Sequence, residues 1–159
     1  MTEAARLVAA ARAKGAVIAT AESCTGGMIG AAITDVAGSS EIFDRGFITY
    51  SNAAKIELLG VRGATLARYG AVSEEIAREM AEGAFARSGA TLALSVTGIA
   101  GPGGSDDKPE GRVCFGLAAA GAKTLVETVE FGPRGRDAVR RAAVDHAIDL
   151  MFQALDADP

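Results

Sequence analysis

A serine that could act as a nucleophile stands beside a pair of glycines early in the chain. Ser23 precedes Gly26 and Gly27 in the segment ESCTGG, which follows a short apolar run and precedes a run typical of a helix. Glycines at a helix N-terminus leave backbone N–H groups open to an anion, and Thr25 adds a hydroxyl. These donors could hold the oxyanion that forms when a serine attacks a carbonyl group. The alternative is that Ser23 and Thr25 cap the helix and that the glycines permit a tight turn.

A nucleophilic serine needs a base, and the sequence offers a lysine in preference to a histidine. His146 is the single histidine, and it lies in the last predicted helix, where its neighbour Asp145 faces another direction. A Ser-His-Asp triad is therefore not predicted. Lys55 follows a buried-looking strand and has alanines beside it, and it could act as the base provided that burial or a neighbouring positive charge lowers its pKa enough to yield a neutral amine. The alternative is a solvated helix lysine, which is the commoner role of lysines.

Two polar residues just before Lys55 are further candidates. Tyr50 could hydrogen-bond the serine or the lysine and help to transfer a proton, or it could be an amphipathic residue at a strand end. Ser51 competes as nucleophile because it lies one helical turn before Lys55, but a Ser-Asn pair after a strand more often caps the next helix. We rank Ser23 above Ser51 because only Ser23 has a glycine pair beside it.

The third segment of interest is the glycine loop, residues 97–104 with the sequence TGIAGPGG. It matches neither a Walker loop nor a dinucleotide fingerprint, so the hypothesis that the protein is an ATPase loses its main support. Its backbone donors could still wrap a phosphate or a ribose, or the loop could be only a turn. The residues predicted to contact substrate there are Thr97, Gly98 and Gly101. Arg134 is a candidate phosphate partner, whereas Lys108 is more typical of a solvated surface charge.

The elements that must position these residues alternate between helix and strand. Helices are predicted over 1–14, 28–36, 52–59, 73–88 and 134–155, and strands over 16–21, 43–50, 91–96, 112–119 and 124–131. This order favours an α/β fold, a three-layer α/β/α arrangement whose mixed, mostly parallel sheet ends in an antiparallel hairpin. Each candidate segment follows a predicted strand, so all three could meet at one edge of the sheet.

Composition restricts the classes of function. The chain has 159 residues, of which 49% are hydrophobic and 23% charged, and this predicts a single domain over 1–159. A net charge of −4 argues against binding a nucleic-acid backbone. One histidine and two distant cysteines predict no zinc site and no disulfide scaffold. The N-terminal stretch lacks an apolar segment long enough for a membrane span, so we expect a cytoplasmic protein without membrane contact. Its size is compatible with a homodimer.

The candidate segments together resemble the C-terminal domain of the competence/damage-inducible protein CinA, the family of nicotinamide-nucleotide amidases. The resemblance rests on TAESCTGG at 20–27, YSN with Lys55 at 50–55, SVTGIAGPGG at 95–104, and Lys108-Pro109 with Gly111. It covers residues 4–155. Glu110 departs from the family pattern, in which an apolar residue is more usual. Longer members carry an extra N-terminal domain, and this chain resembles the stand-alone form.

The resemblance implies that the carboxamide of nicotinamide mononucleotide is hydrolysed to nicotinate mononucleotide and ammonia in pyridine-nucleotide recycling. It implies Ser23 as nucleophile, Lys55 as base and Tyr50 as a supporting residue. Neither metal nor cofactor is expected, and the expected partner is a small nucleotide substrate. Two alternatives stay open at this point: a non-catalytic nucleotide-binding module, and an amidase for another small nucleotide amide.

Overall fold

The computed structural model describes residues 1–105 and 107–157. These residues form five strands, six α-helices and a short 3-10 helix at Ser39–Glu41. The strands are β1 (Ile18–Glu22), β2 (Phe43–Ile48), β3 (Leu92–Gly98), β4 (Arg112–Ala119) and β5 (Leu125–Glu130). The helices are α1 (Glu3–Lys14), α2 (Met28–Thr34), α3 (Asn52–Leu59), α4 (Gly63–Tyr69), α5 (Glu74–Ala86) and α6 (Arg136–Asp156).

The strands form one mixed sheet in the order β2-β1-β3-β4-β5. β1 pairs in parallel with both β2 and β3, whereas β4 pairs antiparallel with β3 and with β5. Four of the five strands therefore run in one direction, and the chain closes the sheet with the predicted antiparallel hairpin. The carboxyl ends of β1, β2 and β3 lie side by side, which brings the three candidate segments to one edge.

Helices cover both faces of the sheet, so the predicted three-layer arrangement is confirmed. On one face, large side chains such as Leu94 and Phe115 pack against α1, α2 and α6. On the other face the strands present small residues, among them Ala21 and Ala93, toward α3, α4 and α5. Side chains alternate between the two faces along each strand, so alternating large and small residues in the sequence place the large ones on one face and the small ones on the other.

The small-residue face lets α5 approach the sheet closely. Ser95 Oγ donates to the carbonyl of Ala77 in α5 at 2.6 Å, and a Cβ added at Gly116 would lie 2.4 Å from that same oxygen. The contact between α5 and α3 is equally close, because a Cβ at Gly83 would lie 2.0 Å from the carbonyl oxygen of Leu59. The position of α3 is therefore fixed by backbone contact.

Local signals explain most helix ends. Gly15 and Gly60 adopt left-handed conformations that end α1 and α3, and the Ser73 hydroxyl accepts from the Ile76 amide at the start of α5. Helix α4 was not predicted. It begins with Gly63, a weak helix former, and the residue before it supplies no side-chain cap. Among the described residues, no helix is long and apolar enough to cross a membrane.

Candidate active site

The serine and the lysine singled out by the sequence are in direct contact. Ser23 follows β1 immediately, and Lys55 lies in the first turn of α3. Lys55 Nζ lies 2.9 Å from Ser23 Oγ, 2.8 Å from the carbonyl oxygen of Thr49 and 3.3 Å from that of Tyr50. The three N–H bonds of a protonated lysine thus face three acceptors. In the neutral amine, two N–H bonds can stay on the carbonyls while the lone pair accepts the seryl hydroxyl proton.

Burial sets the protonation state of Lys55. Its side chain is only 1% exposed, and none of its three hydrogen-bond acceptors is a carboxylate. Burial lowers the pKa of Lys55 from 10.5 to about 8, because a charged amine loses hydration in the protein interior. Half of the amine is therefore neutral at about pH 8, and the neutral amine is the form that a base for serine requires.

The thiol next to the serine is a poor nucleophile. Cys24 is buried, and burial raises its pKa to about 12, so the reactive thiolate is not formed near neutral pH. Ser23, not Cys24, has the basic amine within hydrogen-bond distance. Ser51 is excluded as the partner of the amine, because its hydroxyl accepts from the Ala54 amide and caps α3.

The carboxylate of Glu22 occupies the N-terminus of α2. It is buried and accepts four hydrogen bonds. The donors, at 2.6 to 3.2 Å, are the Thr25 hydroxyl and the amides of Gly27, Ile29 and Gly30. This carboxylate stabilises the turn that carries Ser23, since the positive end of a helix favours a negative charge.

The two amides of the predicted oxyanion site have acceptors within the protein. The Gly27 amide donates to Glu22, and the Gly26 amide donates to the carbonyl oxygen of Ser23 at 3.1 Å. Neither amide is available for a substrate oxygen, and the Thr25 hydroxyl is fully buried on Glu22. The N-terminus of α2 does hold a carboxylate, but that carboxylate is the chain's own Glu22.

A cleft of about 360 Å³ opens from Ser23 and Lys55. This volume lies within the range of small-molecule sites. Its walls come from the end of β1, the start of α3, residues 71–72, the glycine loop and the start of α6. Four of the residues predicted for the site line this cleft: Tyr50, Thr97, Gly98 and Gly101. The Thr97 hydroxyl, however, donates a hydrogen bond to the carbonyl of Ala71. Of the described residues predicted to bind substrate, Thr25, Gly26, Gly27 and Arg134 lie outside this lining.

Arg136, and not Arg134, lines the cleft. Helix α6 begins at residue 136, two residues later than predicted, so Arg136 reaches the cleft while the Arg134 guanidinium lies 5.8 Å from the centre of the Phe131 ring. Arg136 donates to the carbonyl of Gly101 at 2.7 Å and to the hydroxyl of Tyr50 at 2.6 Å. The Tyr50 hydroxyl therefore contacts Arg136, whereas the backbone carbonyl of Tyr50 accepts a hydrogen bond from Lys55.

A second arginine of α6 holds the serine turn. Arg140 lies one helical turn after Arg136 and donates to the carbonyls of Cys24 at 3.0 Å and Thr25 at 3.3 Å. Sequence reasoning missed both residues. The available signal was the four-residue spacing of two arginines at the start of a helix, which places them on one face.

Two other candidates have structural roles. Lys108 is not a solvated charge, because its amine donates to the carbonyls of Tyr69 and Val72 and ties its loop to the segment between α4 and α5. His146 pairs with Glu127 of β5 and packs on Phe115, outside the cleft lining. Within residues 1–105 and 107–157, no cluster of three or more His, Cys, Asp or Glu could hold a metal ion.

Comparison with known proteins gives concordant matches over most of the chain. The sequence model of the CinA C-terminal domain matches residues 2–155. A protein of Enterobacter agglomerans named nicotinamide-nucleotide amidohydrolase PncC is 57% identical over 136 residues, which is 85% of this chain and 82% of that protein. The protein of the same name from Escherichia coli K12 is 50% identical over 145 residues, 91% of this chain and 87% of its own length.

Solved structures agree with these matches. The competence/damage inducible protein CihA from Agrobacterium tumefaciens superimposes with a TM-score of 0.92 at 45% identity, over 97% of this chain and 93% of its own. The competence damage-inducible protein A from Klebsiella pneumoniae gives a TM-score of 0.94 at 37% identity, over 99% of this chain and 97% of its own.

Proposed function

The chain belongs to the CinA C-terminal domain family, and from that premise we propose that it hydrolyses nicotinamide mononucleotide to nicotinate mononucleotide and ammonia. Ser23 is the nucleophile and Lys55 its base in this proposal. The observation that carries it is the 2.9 Å contact between the seryl oxygen and a buried amine whose pKa is lowered to about 8. The names of relatives that are 50 to 57% identical support the same activity.

The first step is attack on the carboxamide. The carbonyls of Thr49 and Tyr50 hold the N–H bonds of neutral Lys55, so that its lone pair accepts the proton of Ser23. The seryl oxygen then bonds to the carboxamide carbon. The negative charge moves onto the carboxamide oxygen, and this oxyanion requires a hydrogen-bond donor beside Ser23.

The second half of the reaction returns the proton. Protonated Lys55 gives its proton to the leaving nitrogen, the C–N bond breaks, and ammonia departs from an acyl-enzyme on Ser23. Water then gives a proton to Lys55 and attacks the ester, which releases the carboxylate product and restores the seryl hydroxyl. The cationic pyridinium ring withdraws electrons from the carboxamide and favours both additions. The sequence of steps needs neither a metal nor a cofactor.

Arg136 provides the cation for the remote part of the substrate. It lines the cleft and its guanidinium is held by Gly101 and Tyr50, so it can meet a phosphate bidentately without moving far. Binding energy from a phosphate distant from the reacting carbon can be used to orient the carboxamide. Free nicotinamide, which lacks this group, should be a poor substrate.

The cellular role follows from the reaction. We infer that a single domain over residues 1–159 acts in pyridine-nucleotide recycling in the cytoplasm. The two cysteines are free and buried, which fits a reducing compartment.

Ammonia release by the purified protein tests the proposal. We expect turnover of nicotinamide mononucleotide, little turnover of free nicotinamide, and loss of turnover in Ser23→Ala with nucleotide binding retained. Ser51→Ala is the matched control and should remain active, because Ser51 caps a helix. Equal turnover of free nicotinamide would contradict the role of the phosphate. Nucleotide binding without any ammonia release would favour a non-catalytic binding module, and turnover of another nucleotide amide alone would favour a different amidase.

A further inference from the structure

We propose that Glu110 is a positioning residue for substrate binding: its carboxylate fixes the glycine loop, residues 97–104, against the N-terminus of α6. The residue itself lies outside the lining of the cleft. It would therefore act on the substrate through the loop and through Arg136. This inference rests on the proposed function for its kinetic part, and its structural part can be tested separately.

Both oxygens of the Glu110 carboxylate are engaged by backbone amides. One accepts from the Gly103 amide at 2.6 Å, and the other accepts from the Gly135 amide at 2.8 Å. Gly103 belongs to the glycine loop, and Gly135 is the residue before α6. The carboxylate is thus a bridge between two segments that are 32 residues apart in the chain and lack a shared strand or helix.

The loop also packs directly on the Glu110 side chain. A Cβ added at Gly101 would lie 2.6 Å from Cδ of Glu110 and 2.7 Å from one of its oxygens. Gly101 has a φ of +92°, so its backbone conformation and its contact with the carboxylate both require glycine. The carboxylate therefore determines where the Gly101 peptide lies.

The position of Gly101 determines the cleft. Gly101 lines the cleft, and its carbonyl oxygen accepts the 2.7 Å hydrogen bond from Arg136. The other side of the same guanidinium donates to Tyr50, which also lines the cleft. Displacement of the loop would therefore move the wall of the cleft and release one of the two contacts that orient Arg136.

The reacting pair is held by other contacts. Ser23 is fixed by Glu22 and Arg140 around its turn, and Lys55 is fixed by the carbonyls of Thr49 and Tyr50. Glu110 takes part in none of these hydrogen bonds. Loss of the carboxylate should therefore weaken substrate binding and leave the chemical step nearly unchanged.

Kinetics of Glu110→Ala and Glu110→Gln test whether loss of the carboxylate weakens substrate binding and spares the chemical step. We expect KM for nicotinamide mononucleotide to rise about tenfold in Glu110→Ala with kcat within about threefold, since two hydrogen bonds to a charged acceptor are lost. Glu110→Gln should fall between wild type and Glu110→Ala, because its single carbonyl oxygen can keep one of the two amides. Glu75→Ala, which removes an exposed carboxylate of α5, is the control and should match wild type.

Hydrogen–deuterium exchange of the free protein tests, without any substrate, whether the carboxylate fixes the glycine loop. Peptides covering residues 98–104 should exchange faster in Glu110→Ala than in wild type or Glu75→Ala, with Glu110→Gln between them. If Glu110→Ala does not fold, Glu110→Gln supplies both comparisons.

The two measurements separate the outcomes. A raised KM together with faster loop exchange supports the proposal. An unchanged KM, a fall in kcat alone, or a raised KM with unchanged loop exchange would overturn it. If the wild-type protein releases no ammonia from the nucleotide, the proposed function fails, whereas the exchange experiment still decides whether Glu110 positions the loop.

Discussion

The pH dependence of amide hydrolysis gives a quantitative test of Lys55 as the base. The pKa of Lys55 is lowered to about 8, so the amine binds its proton more weakly than an exposed lysine does. The neutral fraction is then about one-tenth at pH 7 and about nine-tenths at pH 9, by the ordinary titration relation. Because kcat/KM follows the ionisation of the free enzyme, it should rise about tenfold over this interval and level off above pH 9.

The measurement is ammonia release from nicotinamide mononucleotide at several substrate concentrations between pH 6 and pH 10. Reactions are stopped and neutralised before ammonia is quantified, so that detection does not vary with pH. Ionic strength is held constant, because a phosphate–arginine contact is sensitive to salt. The second ionisation of a phosphate monoester lies near pH 6 and leaves the interval from pH 7 to pH 9 undisturbed.

Lys55→Arg sharpens the comparison, because a guanidinium stays protonated throughout this range. It should be inactive at every pH. A profile that is flat from pH 7 to pH 9, one that falls as pH rises, or substantial activity of Lys55→Arg would each refute the assignment of a neutral lysine base.

Three further predictions concern stability. Lys55 binds its proton more weakly in the folded chain than in the unfolded chain, so its contribution to the free energy of unfolding rises with pH between about 8 and 10.5. Urea unfolding of wild type and of Lys55→Met should show this rise. The difference in unfolding free energy between the two proteins should change by about 3 kcal/mol in favour of wild type over that interval. Glu22→Ala leaves the amides at the start of α2 without their buried acceptor and should cost about 3 to 5 kcal/mol in urea unfolding; a cost below about 1 kcal/mol would show that the carboxylate does not hold the turn. Gly83→Ala should lower both thermal stability and activity because the new Cβ would meet the Leu59 carbonyl, whereas the matched helix substitution Gly63→Ala meets nothing within 4 Å and should be neutral; equal melting temperatures for the two variants would contradict the close packing of α3 on α5.

Local sequence signals were sufficient for every strand and α-helix except α4 and the exact start of α6, and for the proximity of Ser23 and Lys55. Caps such as Ser73 and Gly60 act within a few residues, so their effect can be read from the chain alone. Ser23 and Lys55 could be paired because each follows a strand of a parallel sheet, and such strand ends meet at one edge. The alanines before Lys55 left its pKa undetermined, and the lowering of that pKa follows from the burial of the side chain in the folded chain.

Sequence reasoning missed two kinds of contact. Some join residues far apart in the chain, and others place a side chain of the protein where a ligand was expected. The helix amides near Gly27 were assigned to substrate because a sequence does not reveal that Glu22 turns back onto them. Arg136 and Arg140 reach the site from a helix more than 110 residues after Ser23, and the choice between Arg134 and Arg136 depended on a helix start known only to within two residues.

A double-variant cycle decides whether Ser23 and Lys55 act as one catalytic unit. The measurement is kcat/KM for nicotinamide mononucleotide in wild type, Ser23→Ala, Lys55→Ala and the double variant. Residues that work in a single proton transfer lose nearly everything when either is removed, so the double variant should be no slower than the worse single variant. Losses that multiply in the double variant, or a single variant that keeps wild-type turnover, would contradict the account.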